Sequence, residues 1–405
     1  MSSHAPSPAD APSTLVDGAH RRRGMLFIGS AVALVGVAMA MQMGLNANFL
    51  ADEIHLSGFE IGMLEAVRES CGIFALGVLA LLAGFAEPLV GAAMLVLLAA
   101  GLGGYVFAHS FTWVMLMSLV WSQGLHVWMP LPNSMTLSLA EEGRAGHRLG
   151  QIQAAGAAGF GGGLVAALIL AVAGVPMRSM YLLAGSAAIL AAAACLAIPR
   201  QLKTPGPRLV FARRYGLYYV LNLLEGWRKQ ISIGFAAFLL VKNYGTDLRV
   251  ILLLMLAVQG IGFFASPVVG RLIDRIGERR VLMFYYSCLA VFFVGYALIG
   301  NRYVLYGVYV ADSAFFVFAM SLTTYVSRIA PQNELTPTLS MGVAMNHVSA
   351  VAMPFVGGLL WRYCGYKWTF LIGAAAALIS VAVTLRVPKH VPREKSAAAD
   401  GTPAG

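Results

Sequence analysis

Apolar residues gather into long blocks along this chain, each about twenty residues, cut off by short polar or glycine-containing stretches. At 1.5 Å per residue, a helix of that length crosses the roughly 30 Å hydrocarbon core of a bilayer. A transmembrane strand would need only about ten residues and would alternate apolar with polar positions, and that alternation is missing. A window of about nineteen residues predicts spans near 25–48, 58–82, 88–108, 112–138, 149–174 and 179–198, then near 215–241, 248–269, 281–299, 302–327, 337–361 and 367–386. The two sets of six are separated by "PRQLKTPGPRLVFARR" (199–214), a basic stretch with prolines and no apolar run.

The expected organisation is therefore a disordered polar tail (1–24), a six-helix half (25–198), a linker (199–214), a second six-helix half (215–386) and a polar tail (387–405). A cleaved signal peptide would also place an apolar block after Arg21, Arg22 and Arg23. The block here is longer than a typical signal core and continues into Gln42, Asn46 and Asn48, so it reads as a first span.

Composition agrees with the pattern: 59% of residues are hydrophobic and 11% charged, against about 25% charged in soluble domains. The 44 glycines and runs such as "AAILAAAACLA" (187–197) suit helices that approach closely in lipid. The net charge of +10 is explained by sidedness rather than by nucleic acid. Nineteen of the 28 basic residues fall in the segments on the N-terminal side of the membrane, six in the opposite loops, and Arg68, Arg228 and Lys229 within spans. The expected location is the inner membrane of the cell, crossed many times, with both termini cytoplasmic. Cys71, Cys195, Cys288 and Cys364 form no CxxC pair and read as packing residues, so no metal site or disulfide framework is expected.

The charges inside spans are the candidate chemistry, because an ionised group near a bilayer centre costs roughly 2.5–3.5 kcal/mol on insertion scales. "EAVRE" (65–69) and "EGWRK" (225–229) each place an acid, an arginine and a further charge at i, i+3 and i+4, on one helix face. One reading is an internal ion pair that fixes packing; the other is a substrate or proton site. Four interior acids (Glu65, Glu69, Glu225, Asp312) face three bases, so one acid is expected to bind a proton during the working cycle. Arg228, favoured as a bidentate partner, and Lys229, as a point charge, are candidate ligands for an anion, with Arg68. His126, Asn46, Gln123, Asn346 and Trp128 are further candidates, each with a packing or helix-bonding role as the alternative. Trp121 and Trp128 share a face of the fourth span.

The loop "GRLIDRIGERRVL" (270–282) resembles the signature loop of the major facilitator superfamily, with Gly270, Leu272, Asp274, Arg275, Gly277, Arg279 and Arg280 on the pattern. The six-plus-six arrangement extends the resemblance over essentially the whole chain. It implies an all-α membrane fold of twelve helices in two halves, with spans 1, 4, 7 and 10 lining a cavity, spans 2, 5, 8 and 11 between the halves, and spans 3, 6, 9 and 12 facing lipid. Interior charges and histidines fall only in spans 2, 4, 7, 10 and 11. The first-half counterpart, "AGFAEPLVGAAM" (83–94), keeps Glu87 and Gly91 but no basic residue. Span 4 lacks the arginine of many proton-coupled members, and span 5, "GAAGFGGG" (156–163), lacks the proline of the antiporter motif.

The resemblance implies a conformational latch around Gly270, Asp274, Arg275, Gly277, Arg279 and Arg280, with Arg148 as the expected partner of Asp274. No phosphate-binding loop, HExxH or GxSxG occurs, so neither an ATP-driven pump nor a hydrolase is indicated, and no cofactor is expected. The expected function is secondary transport of a small organic anion with protons, by a monomer in the lipid bilayer. Asp312 and Glu225 are the preferred coupling acids, ahead of Glu65 and Glu69. Export of an amphipathic compound and a non-transporting receptor on the same fold are the alternatives.

Overall fold

The computed structural model describes residues 18–141, 144–202 and 211–389. Residues 1–17, 203–210 and 390–405 lie outside it, so most of the expected tails and linker fall outside the described residues. In the first half, α1 (Gly18–Asn48, continued by a π turn Phe49–Glu53), α2 (Gly58–Leu81), α3 (Glu87–Gly104), α4 (Phe111–Trp128) with α5 (Leu131–Leu139), α6 (Ala145–Val172) and α7 (Met177–Leu196) form six spans. The second half repeats the count with α8 (Gly216–Ile231), a π turn (Ser232–Ala236) and α9 (Ala237–Tyr244) as one span, then α10 (Leu248–Ile276) and α11 (Glu278–Leu298). Its remaining spans are α12 (Arg302–Phe315) with a 3-10 turn (Phe316–Ala319) and α13 (Met320–Ile329), then α14 (Gln332–Cys364) and α15 (Tyr366–Thr384). Among the described residues, nine helices are by length and composition able to cross a membrane, and polar residues or breaks interrupt the other three spans.

Two expectations change here. Gly18–Gly24 belong to α1 rather than to a disordered tail, since the helical register continues into the apolar block and Arg23 lays its guanidinium over the Phe27 ring at 5.7 Å. The four spans expected to line a cavity are also less regular than their hydropathy suggests: span 1 ends in a π turn, span 4 breaks at Met129–Pro130, and spans 7 and 10 contain a π and a 3-10 turn. The signal at the ends of elements is local. Ser57 and Glu60 form a capping box at the start of α2, and Gly245 (φ +62°) closes span 7 in the left-handed region that a side chain disfavours.

The halves meet along two seams. In one, α2 packs on α14: Gly58 lies under the Trp361 indole, and a Cβ on Gly62 would come within 2.7 Å of the Gly358 Cα. Small residues allow this approach, which is how helices associate where lipid offers no hydrophobic drive. In the other, α6 packs on α10 while α1 reaches α9 and α10. At the end of the bundle away from residues 199–202, the Asn48 side-chain amide donates to the Thr246 carbonyl at 3.0 Å, joining the halves. At the linker end, α5 packs on α1, α3, α4 and α6, and α13 on α8, α11 and α14, each inside its own half. Among the described residues, the molecule is thus joined from its middle to one end and divided at the other.

Candidate substrate and coupling site

Arg228 is fully buried inside the second half. Its guanidinium pairs with Glu225 one turn earlier and donates to the Tyr285 hydroxyl at 3.2 Å, while Tyr285 donates to Glu225 Oε1 at 3.2 Å. The rings of Tyr285 and Tyr286 lie 4.8 and 5.0 Å from the cation. The cation is thus held by a carboxylate, a phenol and two ring faces, while its Nε has no partner. In this arrangement Arg228, expected as a bidentate anion ligand, is partnered by Glu225 of its own helix and by Tyr285 and Tyr286 of α11. That helix was expected to face lipid only, and the "FYYS" tyrosines (284–287) were the overlooked signal.

Lys229 occupies the contrasting position. At 100° per residue, it lies midway between Gly226, which packs on Asn346 and Ser349 of α14, and Ser232, which bonds Asp312 of α12. Ile231, on the far side of the helix, packs on Gly373 of α15. Lys229 therefore lies on the arc of α8 between the lines that face α12 and α14. It is half-buried and forms no ion pair among the described residues.

Asp312 is fully buried on α12. Its Oδ2 accepts from the Ser232 hydroxyl and from Tyr296 at 3.3 Å, and its Oδ1 has no partner. No salt bridge to it forms among the described residues, which sets it apart from Glu225.

The other predicted charges collect on the α2–α14 seam. Arg68 donates to Glu65 Oε1 at 2.9 Å and to Glu69 Oε1 at 3.3 Å, and its guanidinium stands 5.5 Å from the Trp121 ring. Glu65 reaches across toward the π turn, its Cγ 3.3 Å from where a Cβ on Gly234 would be. Glu69 Oε2 lies 3.4 Å from His347 Nδ1 of α14, and the His126 and His347 rings are 5.2 Å apart. His126 Nδ1 donates to the Ser122 carbonyl at 2.8 Å.

The uncharged candidates divide. Gln123 leaves its amide nitrogen without a partner, whereas Asn346 donates to the Asn222 carbonyl at 3.4 Å and Asn46 accepts from Gln42 at 3.3 Å. Trp128, expected as a substrate contact, is buried against Gly91 of α3.

Around the signature loop, Gly277 turns the chain at φ +82° between α10 and α11. Asp274 meets Arg328 at 3.3 Å, and the same arginine holds Glu278 at 2.7 Å. Arg148 donates to both oxygens of Glu141, at 2.6 and 2.9 Å. The expected Asp274–Arg148 pair is absent from this arrangement, because the halves are apart at the linker end and each residue finds a partner in its own half. Arg275 and Arg280 are exposed, Arg279 half-buried, and Gly270 has open space where a Cβ would be. A single arginine, Arg328 of α13, thus holds both Asp274 at the end of α10 and Glu278, the first residue of α11.

Two six-span halves, seams of small residues and charges gathered between them define a multi-pass membrane transport protein. The sequence pattern of the Major Facilitator Superfamily matches residues 218–404. No curated protein matches the chain by sequence. Among solved structures, the nucleoside transporter NupG is similar over 89% of this chain and 98% of its own, at 15% identity and a TM-score of 0.73. A bacterial homologue of the human lysosomal transporter Spinster covers 91% and 97% at 12% identity and 0.71, and a D-xylose–proton symporter 92% and 98% at 13% and 0.70. The chain thus shares the fold of these transporters, and most of its second half carries the Major Facilitator Superfamily pattern.

Proposed function

We propose that the chain moves a small organic anion across the membrane by alternating access, with Lys229 as the cation that meets the substrate and Asp312 as the acid that carries a proton. The observation behind this reading is an imbalance. Glu225 and Arg228 neutralise each other, and Arg68 stands between two acids, one more than it can neutralise; among the described residues Lys229 and Asp312 form no ion pair at all. Such groups are costly in a low-dielectric interior, and a transported carboxylate at one and a proton at the other would offset the cost. Both termini are assigned to the cytoplasm on the strength of the basic-residue bias, so the divided end described above is the cytoplasmic one.

A second reading, an uncharged polar solute of the nucleoside or sugar kind, is favoured by the unpartnered amide of Gln123 and by the solutes named for two of the similar structures. Uptake of labelled carboxylates, nucleosides and sugars into proteoliposomes, with and without a pH gradient, separates the two. Anion uptake should be driven by the gradient in wild type, be lost in Lys229→Gln, and lose its pH drive in Asp312→Asn while exchange continues. Gradient-insensitive uptake of nucleosides alone, unaffected by Lys229→Gln, would sink the anion reading.

A further inference from the structure

The sequence gives no hint of a metal site, because its parts lie on three helices far apart in the chain. In the folded molecule Glu69 of α2, His126 of α4 and His347 of α14 each bring one ligand atom within 4.8 Å of the others. Two imidazoles and a carboxylate are a common ligand set for zinc, which keeps a fourth position open for water or another group. We propose that these three residues form a site for a divalent transition metal of the zinc type, tying α14 of the second half to α2 and α4 of the first.

Three further features support the assignment. The His126 Nδ1–H bond to the Ser122 carbonyl, at 2.8 Å, fixes the tautomer and leaves Nε2 with its lone pair, the arrangement that commonly orients a metal-binding histidine. His347 Nδ1 is buried, 3.4 Å from Glu69 Oε2, and makes no hydrogen bond. The surrounding charge also invites a cation. Glu65 and Glu69 share only Arg68, which occupies Glu69 through Oε1 and leaves Oε2 directed at the histidine. Cys71, the nearest thiol on α2, is engaged with the Leu119 carbonyl at 3.7 Å and is not part of the set.

The geometry needs modest closure. Zinc bonds of about 2.0–2.1 Å in a tetrahedron place ligands about 3.3 Å apart, so the widest separation present must shrink by roughly 1.5 Å. Gly72 makes room for this: a Cβ there would lie 2.6 Å from His347 Nδ1, so the imidazole already rests on the bare backbone of α2. Because the ligands come from both halves, a bound ion resists their relative movement, and it stabilises the arrangement that binds it in proportion to occupancy.

The test uses the full chain in detergent, without an affinity histidine tag, and needs no transported substrate. Zinc titrated by calorimetry should bind at one equivalent and raise the unfolding temperature. Cobalt should give the intense visible absorption of a tetrahedral site, and magnesium and calcium, which prefer oxygen cages, should not compete. Glu69→Gln, His126→Ala and His347→Ala should each weaken zinc binding at least about tenfold, whereas His109→Ala, at an exposed position, should leave it unchanged. Where an alanine variant unfolds early without metal, His347→Gln keeps the volume and carries the same expectation. Zinc affinity that is equal in wild type and the three ligand variants, or a cobalt spectrum lacking the tetrahedral band, overturns the site.

Discussion

At the scale of single residues, Arg228 and Lys229 are neighbours with opposite fates. Removing Arg228 leaves Glu225 buried without a partner, and Arg228→Met should destabilise the protein by about 3–5 kcal/mol in denaturant unfolding. Replacing both, as Arg228→Met with Glu225→Gln, should recover much of that loss, because the uncompensated charge goes with its partner. Lys229→Gln should change stability by no more than about 0.5 kcal/mol, since the lysine makes no ion pair to lose. A stability loss of equal size at both positions would mean that Lys229 is also part of the scaffold. The sequence made the two cations visible but could not rank them, because the partners that distinguish them, Tyr285 and Tyr286, come from a helix sixty residues further on.

At the scale of elements, the periodicity revealed twelve spans and their order, as the match between hydropathy blocks and helices shows for α3, α6, α7 and α11. It did not reveal the breaks in spans 4, 7 and 10. Pro130 is a local cue for the first, but the π turn at Ser232–Ala236 contains no proline and is stabilised by tertiary contacts such as Ser232 with Asp312. The α2–α14 crossing was legible only as an excess of glycine. Gly62→Val should overpack that crossing at a cost of about 1–3 kcal/mol to the present arrangement, opening the seam near Trp361. Thiol labelling of a cysteine placed at Phe59 should then rise severalfold; unchanged labelling would show that the seam can yield without parting.

The α4–α5 to α6 corner offers a pH test. The two Arg148 bonds hold the Glu141 carboxyl down to about 2, well below the ordinary carboxylate range. A depressed folded value means the pair contributes stability above the unfolded value of about 4.3, and that contribution is lost as pH falls toward 2. The difference in unfolding temperature between wild type and Glu141→Gln should therefore be constant from neutral pH to about 5 and shrink below it. A difference that grows on acidification would show that the pair is not the cause.

At the scale of the whole molecule, the two halves and their interior charges were legible, while the state of the bundle was not. Which end is joined depends on contacts such as Asn48 with Thr246, between residues 198 apart, that leave no periodic trace. Asn48→Ala removes that hydrogen bond, worth about 1 kcal/mol, and should shift the balance severalfold away from the present arrangement. Asp274→Asn should act in the opposite direction if Asp274 reaches Arg148 when the linker end closes. Spin-label distances across that end measure both, and shifts of the same sign would exclude the latch.

The ion pairs that flank the divided end, Arg148 with Glu141, Arg328 with Asp274 and Glu278, and Arg214 with Glu334, each close within one half, as does Arg228 with Glu225. Apart from Asp274, which the latch would move from Arg328 to Arg148, rocking the halves against each other can leave these pairs intact. The interconversion rate should then respond weakly to ionic strength and strongly to temperature, since what must be parted and remade at the seams is mostly apolar surface, whose heat-capacity change bends an Arrhenius plot.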